Sequence, residues 1–330
     1  MRLVAVSALA PTFWGTTYLV TTELLPPQRP LLAGTLRALP AGLLLVGAVA
    51  LIAGRRALPQ GVWWGRAALL GVLNIGIFFA LLFVAAYRLP GGIAAVLGAL
   101  GPFVVAALAY PILGERPTRR ILIASVIGLV GVALLVLRST IHLDPIGLIA
   151  AAFGTLTMSL GTVLGRRWGV PEGYENRATA LLALTGWQAT VGGVFLLPVA
   201  FAIEGPPPML TLTNLAGYGY LALCGTALAY FLWFRGVTGL APTRVTLLSL
   251  LSPVVAAVLG WIVLGQELSL GQLIGAAAVL GSVLLGTSGN TPRKPEQTPQ
   301  ENQPHTPAVP SGTSGNRTTS GTRQQVVRAA

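Results

Sequence analysis

Long apolar segments alternate with short polar loops along most of this chain. Each segment runs for roughly 18 to 25 residues and lacks the apolar–polar alternation of a membrane β-strand. A helix of that length just crosses the hydrocarbon core of a bilayer, whereas a soluble core imposes no such uniform length. The pattern therefore predicts ten membrane-spanning helices, over residues 3–22, 31–53, 66–88, 91–113, 120–138, 146–165, 179–203, 212–234, 242–264 and 270–287.

One stretch of the chain recurs 151 positions later. Without a gap, residues 79–115 align with residues 230–266, and eleven of the 37 positions are identical. Leu and Ala often match by chance in membrane sequences, but the pairs Pro102/Pro253 and Gly114/Gly265 are harder to obtain by chance. A repeat of this length indicates two similar halves.

The two halves are predicted to be inverted. Each half holds five predicted spans, and because five is odd, the second half enters the membrane from the opposite side. We therefore expect an all-α integral membrane protein with ten transmembrane helices, arranged as two inverted five-helix repeats around a central cavity. The expected domains are residues 1–138, residues 139–287 and a disordered cytoplasmic tail over residues 288–330, which is rich in Pro, Thr, Ser, Gly and Gln.

Composition supports a membrane protein and argues against nucleic-acid binding. The chain has 330 residues, of which 54% are hydrophobic and only 9% charged, while soluble domains carry about 25% charged residues. The net charge of +12 comes from Arg residues scattered between the apolar runs, without a basic face bearing aromatic residues. The lipid bilayer is thus one expected partner, and the second, a small molecule, is expected from the cavity residues described below. The single cysteine, Cys224, excludes an internal disulfide.

The distribution of basic residues predicts the orientation. With a cytoplasmic N-terminus, 14 basic residues flank the spans on the inside and three on the outside. Because positively charged loops are retained in the cytoplasm, the sequence predicts cytoplasmic termini and a multi-pass protein of the plasma (inner) membrane.

Residues for catalysis or metal binding are not grouped in this sequence. The acidic residues fall in loops, at span ends or in the tail, and neither metal-ligand spacing nor a phosphate-binding glycine loop is found. We therefore expect no enzyme, no cofactor and no metal ion. A membrane-embedded enzyme acting on a lipid-linked substrate is kept as the alternative function, and a receptor-like or structural membrane protein as a third.

Arg37 lies six residues into the second predicted span, away from the span ends where the other basic residues fall. A charge there is costly, so it normally faces a partner, a cavity or water. One hypothesis makes it the anchor for an anionic substrate group such as a carboxylate. The alternative is that it reaches the outer interface, or pairs with Glu23 or with a helix end. The repeat carries Arg37 to Gln188, which favours a shared structural contact.

Other polar and aromatic residues suit a mostly apolar cavity with a few polar contacts. Pro102 and Pro253 are expected to form a hinge or bend that lines it, with a static kink as the alternative. Each of the remaining residues, taken alone, fits interhelical packing as well as substrate binding. The candidate substrate-binding residues are Trp14, Thr17, Tyr18, Arg37, Asn74, Phe79, Ser159, Thr162, Tyr230, Trp233, Ser249 and Ser252.

Several short motifs recur in a characteristic order and spacing over roughly residues 3–287. They are the runs 86–95, 101–102 and 113–116, Phe13-Trp14-Gly15, Arg37, Ser252-Pro253 and Leu264-Gly265. Together these motifs resemble the EamA-type family of the drug/metabolite transporter superfamily. The chain departs from the family pattern at Gln266, where an acidic residue is usual, and at Ala124, where a glycine is usual.

The resemblance implies a secondary transporter with a central cavity and alternating access. Members of the family move amino acids and related metabolites across the inner membrane, commonly as exporters. The expected function is therefore the export of small metabolites such as amino acids. No carboxylate is visible inside the spans, so facilitated diffusion or exchange fits as well as proton coupling.

Overall fold

A computed structural model of the protein describes residues 2–89, 91–136 and 144–288. Ten helices within these residues are long and apolar enough to cross a membrane, as predicted. The predicted tail, apart from Ser288, lies outside the described residues, as does the end of the fifth predicted span. The helices are α1 (Arg2–Leu24), α2 (Pro30–Ala53), α3 (Trp63–Gly71, Val72–Ile77 and Phe78–Arg88), α4a (Gly91–Gly98), α4b (Gly101–Leu113), α5 (Arg119–Val136), α6 (Pro145–Trp168), α7 (Arg177–Glu204), α8 (Leu212–Ala222, Leu223–Leu228 and Ala229–Gly239), α9a (Pro242–Leu248), α9b (Leu251–Leu264) and α10 (Leu270–Thr287).

The repeat is visible in the bounds of the helices. Adding 151 to the limits of α5 gives the limits of α10, and α2 and α7 end at equivalent residues. The middle segments of α3 and α8, Val72–Ile77 and Leu223–Leu228, are both π-helical and are also exactly 151 residues apart. Because π-turns are rare and tend to mark functional sites, their recurrence at equivalent places is informative.

The fourth and ninth spans are interrupted helices. The breaks fall at Ala99–Leu100 and Ser249–Leu250, so that Pro102 and Pro253 lie in the first turns of α4b and α9b. A proline costs little there, because the first N–H groups of a helix lack intrahelical partners anyway. Each proline thus lies in the first turn after a break in its span, and its role as a hinge or bend that lines the cavity stays a prediction.

Side chains satisfy the backbone at both interruptions. Thr155 of α6 donates its hydroxyl to the carbonyl of Leu97, at 3.2 Å. Ser249 donates its own hydroxyl to the carbonyl of Thr246, at 2.7 Å. The same two carbonyls also accept backbone hydrogen bonds, from the N–H groups of Leu100 and Ser249. The hydroxyls are therefore second donors to carbonyl groups that would otherwise be less well satisfied inside a bilayer.

Two three-helix bundles exchange their first helices. We call α3, α4a/α4b and α6 the first bundle, since α6 packs against the other two although it belongs to the second half of the sequence. We call α1, α8 and α9a/α9b the second bundle, because α1 packs in the equivalent way. The pairs α2–α7 and α5–α10 join equivalent helices of the two halves.

Glycines allow the closest approach between α5 and α10. A Cβ atom added at Gly275 would lie 2.6 Å from both the carbonyl oxygen of Gly131 and the backbone nitrogen of Leu135. Small residues let membrane helices pack backbone against backbone in this way. Gly271, by contrast, has only Ser269 Oγ within 4 Å of its added Cβ and does not contribute to this contact.

The N-terminus of α2 is capped by a carboxylate from another helix. Glu204, the last residue of α7, accepts hydrogen bonds from the backbone N–H groups of Leu31 (2.6 Å) and Leu32 (2.9 Å). Arg29, in turn, donates to the carbonyl of Glu204 and to that of Pro206. A negative charge at a helix N-terminus satisfies free donors and complements the helix dipole.

Replacing Glu204 with alanine is therefore expected to lower the free energy of unfolding by about 1–2 kcal/mol, because two N–H groups lose their acceptor. Thermal unfolding of the purified protein in detergent measures this change. Glu172→Ala, which truncates an exposed loop carboxylate, is the control and is expected to unfold at the same temperature as the wild type. Equal midpoints for the two variants would contradict the role of this cap.

A local cap of the ordinary kind begins α6. Asp144 accepts a hydrogen bond from the backbone N–H of Gly147, at 2.9 Å, and lies 3.4 Å from Arg88 Nη1. The Gly147 bond, followed by the charge of Arg88, holds the pKa of Asp144 below its usual value.

Candidate functional site

Arg37 is buried against the π-turn of α8. Its side chain is only 5% exposed. The guanidinium donates from Nε to Thr226 Oγ1 (3.0 Å) and from Nη2 to the carbonyl of Gly225 (2.8 Å). Its Cζ lies 5.0 Å from the centre of the Phe79 ring, in the geometry of a cation–π contact.

The expected pairing of Arg37 with Glu23 is not among the described contacts. Arg37 is buried, and Glu23 lies exposed at the end of α1, next to Thr22. Among the described residues, ion pairs within 4 Å join Arg88 with Asp144 and Arg166 with Glu115. The positive charge of Arg37 is therefore held by a hydroxyl, a carbonyl and an aromatic face, without a described carboxylate beside it.

Gln188, the residue equivalent to Arg37, makes the matching contact, from the second half of the chain to the first. Its Oε1 accepts a hydrogen bond from Asn74 Nδ2, at 2.8 Å. Asn74 belongs to the π-turn of α3, and adding 151 to its number gives Gly225. Each half thus sends a polar side chain from its second helix to the π-turn of the other half, as the repeat suggested.

An aromatic cluster surrounds this polar centre. Phe79 and Tyr230, which are equivalent positions in the repeat, meet edge to face with their centres 6.3 Å apart. Trp14 of α1 packs against Tyr230 at 5.2 Å and against Trp233 at 5.1 Å. Because Phe79 belongs to the first bundle and the other three rings to the second, the cluster spans the contact between the bundles.

Several buried polar atoms of the centre lack a hydrogen-bond partner among the described residues. Two are indole N–H donors, Nε1 of Trp14 and of Trp233, and a third is Thr17 Oγ1. A Cβ atom added at Gly225 would lie 3.4 Å from Arg37 Nη2 and 3.9 Å from Thr17 Oγ1, so these two polar groups converge on the same place. Leaving such groups unpaired costs free energy, and an acceptor-bearing ligand can recover it.

Asn74 is held tightly between α6 and α7. Its Oδ1 has no hydrogen-bond partner among the described residues, and its side chain is 1% exposed. It packs directly on Gly161 of α6, where an added Cβ would overlap it. The bond to Gln188 fixes the orientation of the amide, so Asn74 connects α3, α6 and α7 at the level of the π-turn.

The hydroxyl groups of two predicted site residues donate hydrogen bonds to backbone carbonyls three or four residues earlier in the chain. Thr162 donates to the carbonyl of Met158 at 2.8 Å, and Ser249 to that of Thr246. Ser159 is buried in α6. Ser252 presents its carbonyl oxygen to α1, 2.7 Å from a Cβ added at Gly15. The side chain of Tyr18 lies outside the described part of the structure.

The structure thus brings together six of the predicted residues and adds others. Trp14, Thr17, Arg37, Phe79, Tyr230 and Trp233 form one polar and aromatic centre, which we call the Arg37 cluster. Sequence reasoning missed Thr226 and Gly225, the direct partners of Arg37. The repeat offset, applied to Asn74, would have pointed to Gly225.

Comparison with known proteins gives a consistent result. The sequence model of the EamA-like transporter family matches residues 2–137 and 145–287 of this chain. Protein PecM of Dickeya dadantii is 44% identical over 285 residues, which cover 86% of this chain and 92% of that protein. The uncharacterized inner membrane transporter YedA of Escherichia coli K12 is 30% identical over 290 residues, covering 87% and 91% of the two chains.

More distant similarities extend the comparison. A chloroplastic WAT1-related protein of Arabidopsis thaliana, At3g02690, is 29% identical over 289 residues, which cover 83% of this chain and 66% of that protein. A crystal structure with 19% sequence identity superimposes with a TM-score of 0.72, covering 87% of this chain and 98% of the other. At this identity the superposition shows the fold alone.

Proposed function

The chain belongs to the EamA-like transporter family, a family of transporters rather than enzymes, and we propose that it moves a small metabolite by alternating access through the Arg37 cluster. The observation that carries this proposal is the position of the cluster. The cluster lies where equivalent residues of the first and second bundles meet. A ligand held there can therefore be exposed to either membrane face in turn.

The chemistry of the cluster supports an organic anion or zwitterion as substrate. Arg37 supplies a buried positive charge without a described carboxylate within 4 Å. The unpaired donors of Trp14 and Trp233 offer hydrogen bonds to oxygen atoms, and the aromatic faces offer stacking. Amino acids and related carboxylates fit this set of groups, and they form the proposed substrate class.

We propose export across the inner membrane, with both termini in the cytoplasm. The excess of basic residues on one side supports this orientation. All seven described acidic residues lie in loops or at helix ends, which leaves no visible proton relay within the membrane. Exchange or facilitated diffusion therefore fits this chain as well as proton coupling does.

Flux measurements test this proposal directly. Purified protein in proteoliposomes is expected to give saturable uptake of at least one labelled amino acid from a broad panel, with counterflow when the lumen is preloaded. Empty liposomes provide the background. Uptake no faster than this background across amino acids and related carboxylates would overturn the proposed substrate class.

A further inference from the structure

The repeat provides an internal reference for contacts between the two bundles. If the halves were in identical conformations, every contact at one end of the bundles would have an equivalent 151 residues away at the other end. We call the end that carries Glu115, directly after α4b, the Glu115 end. The opposite end carries Gln266, directly after α9b, and we call it the Gln266 end.

Within each bundle the equivalent contacts are present. The pairs α4b–α6 and α3–α6 of the first bundle are matched by α9b–α1 and α8–α1 of the second. Both bundles therefore have the same internal packing, and any asymmetry lies in how they meet.

Between the bundles the packing is one-sided. At the Glu115 end α4b packs against α9a, and α6 packs against the last segment of α8. Near this end a Cβ atom added at Gly165 would lie 3.5 Å from Val237 Cγ1. Closer to the interruption of the fourth span, one added at Gly101 would lie 3.2 Å from Thr246 Cγ2. The equivalent pairs at the Gln266 end, α9b with α4a and α1 with the last segment of α3, show no comparable packing among the described residues.

A charged side chain adds a polar contact between the bundles at the Glu115 end. Arg166 of the first bundle donates from Nη1 to the carbonyl of Thr238 in the second bundle, at 2.9 Å. Arg177 of α7 donates to the same oxygen, at 3.1 Å. Thr238 lies in the last turn of α8, where the helix dipole favours cations. Glu115 Oε1 lies 3.7 Å from Arg166 Nε and holds the guanidinium in place from its own bundle.

Among the residues that the structure describes, the Gln266 end has no equivalent of this arrangement. The residue equivalent to Glu115 is Gln266, which is uncharged. Its backbone N–H donates to the carbonyl of Gly260, and its amide oxygen would lie 2.6 Å from a Cβ added at Gly260. Gln266 therefore folds back on its own helix, α9b, and makes no described link to the first bundle.

We propose that Arg166, positioned by Glu115 and bonded to the carbonyl of Thr238, is a latch that closes the transport path at the Glu115 end. The conformation described is then the one in which the Arg37 cluster is reached from the Gln266 end. This inference rests on the proposed alternating access. Under the predicted orientation, the latch is cytoplasmic and favours the outward-facing state.

Distance measurements between spin labels test the latch without any transport assay. In a Cys224→Ser background, labels on Arg167→Cys and Arg235→Cys report the separation of α6 and α8 at the Glu115 end. Labels on Glu23→Cys and Ile146→Cys report the separation of α1 and α6 at the other end. All four positions are exposed at helix ends.

Loss of the latch is expected to shift the populations reciprocally. Arg166→Gln should raise the population of the long distance at the Glu115 end about tenfold, and Glu115→Gln about threefold, because they remove a charge-assisted bond and its positioning ion pair. The distance at the Gln266 end should shorten in parallel. Arg166→Lys keeps the cation and should retain most of the closed population.

The controls separate this inference from the proposed function. Arg119→Gln removes an exposed cation at the same end and should leave both distances unchanged. The latch is refuted if Arg166→Gln and Glu115→Gln keep the wild-type distances, or if they broaden both ends without a reciprocal change. Failure of wild-type uptake would count against the substrate class alone, whereas the distances report the latch in either case.

Discussion

Replacing Arg37 with glutamine will lower the transport of a carboxylate-bearing substrate about 10- to 100-fold, the range set by loss of one or two charge-assisted hydrogen bonds. The variant places glutamine at both equivalent positions of the repeat. A glutamine amide can still donate to the carbonyl of Gly225 or to Thr226, so the fold should tolerate the change better than it would tolerate alanine. The initial rate of uptake into proteoliposomes, at matched protein content, measures the effect.

A substrate analogue distinguishes binding from structure. The methyl ester of the same substrate lacks the anionic group, so its residual transport should change little in Arg37→Gln. Arg88→Gln, which alters an exposed arginine in the same half, is the matched protein control and should transport both compounds like the wild type. Equal losses for acid and ester, together with lower protein yield, would assign Arg37 a structural role instead.

The contact between α5 and α10 should be the most sensitive to added volume. Gly275→Ala inserts a methyl group 2.6 Å from backbone atoms of Gly131 and Leu135, which cannot rotate away. We expect a loss of about 2–3 kcal/mol in the free energy of unfolding, the upper part of the range for overpacking. Thermal unfolding in detergent measures it.

A second glycine on the same helix is the matched control. A Cβ atom added at Gly281 meets nothing within 4 Å. Alanine is a better helix former than glycine by about 1 kcal/mol, so Gly281→Ala should be neutral or slightly stabilising. If both variants unfolded at the same temperature, the close approach of α5 and α10 would not limit stability.

The membrane spans could be predicted well because one local property determines them. Hydrocarbon thickness fixes the length of the apolar runs, and the ten helices begin and end within a few residues of the predicted limits. The repeat was also readable, since Pro102/Pro253 and Gly114/Gly265 are difficult to match by chance. Gly114 and Gly265 both end their helices in the left-handed conformation that glycine allows.

The partners of the functional side chains could not be read in the same way. Arg37 bonds to a carbonyl and a hydroxyl of a π-turn 188 and 189 residues away, and a backbone carbonyl leaves no mark on the sequence. Glu204 directly follows a predicted span, and its role of capping α2 could not be predicted because the cap is a tertiary contact. The breaks beside Pro102 and Pro253 could not be located in advance, because an apolar run does not reveal where a helix is interrupted.

The exchange of α1 and α6 between the bundles constrains how the protein is made. When the first five spans have left the ribosome, α3 and α4a/α4b still lack α6, and α1 still lacks α8 and α9a/α9b. Neither nascent half can complete its packing alone, so the first half has to wait in the bilayer until the second is inserted. Split genes should therefore yield stable protein only when both fragments are synthesised together.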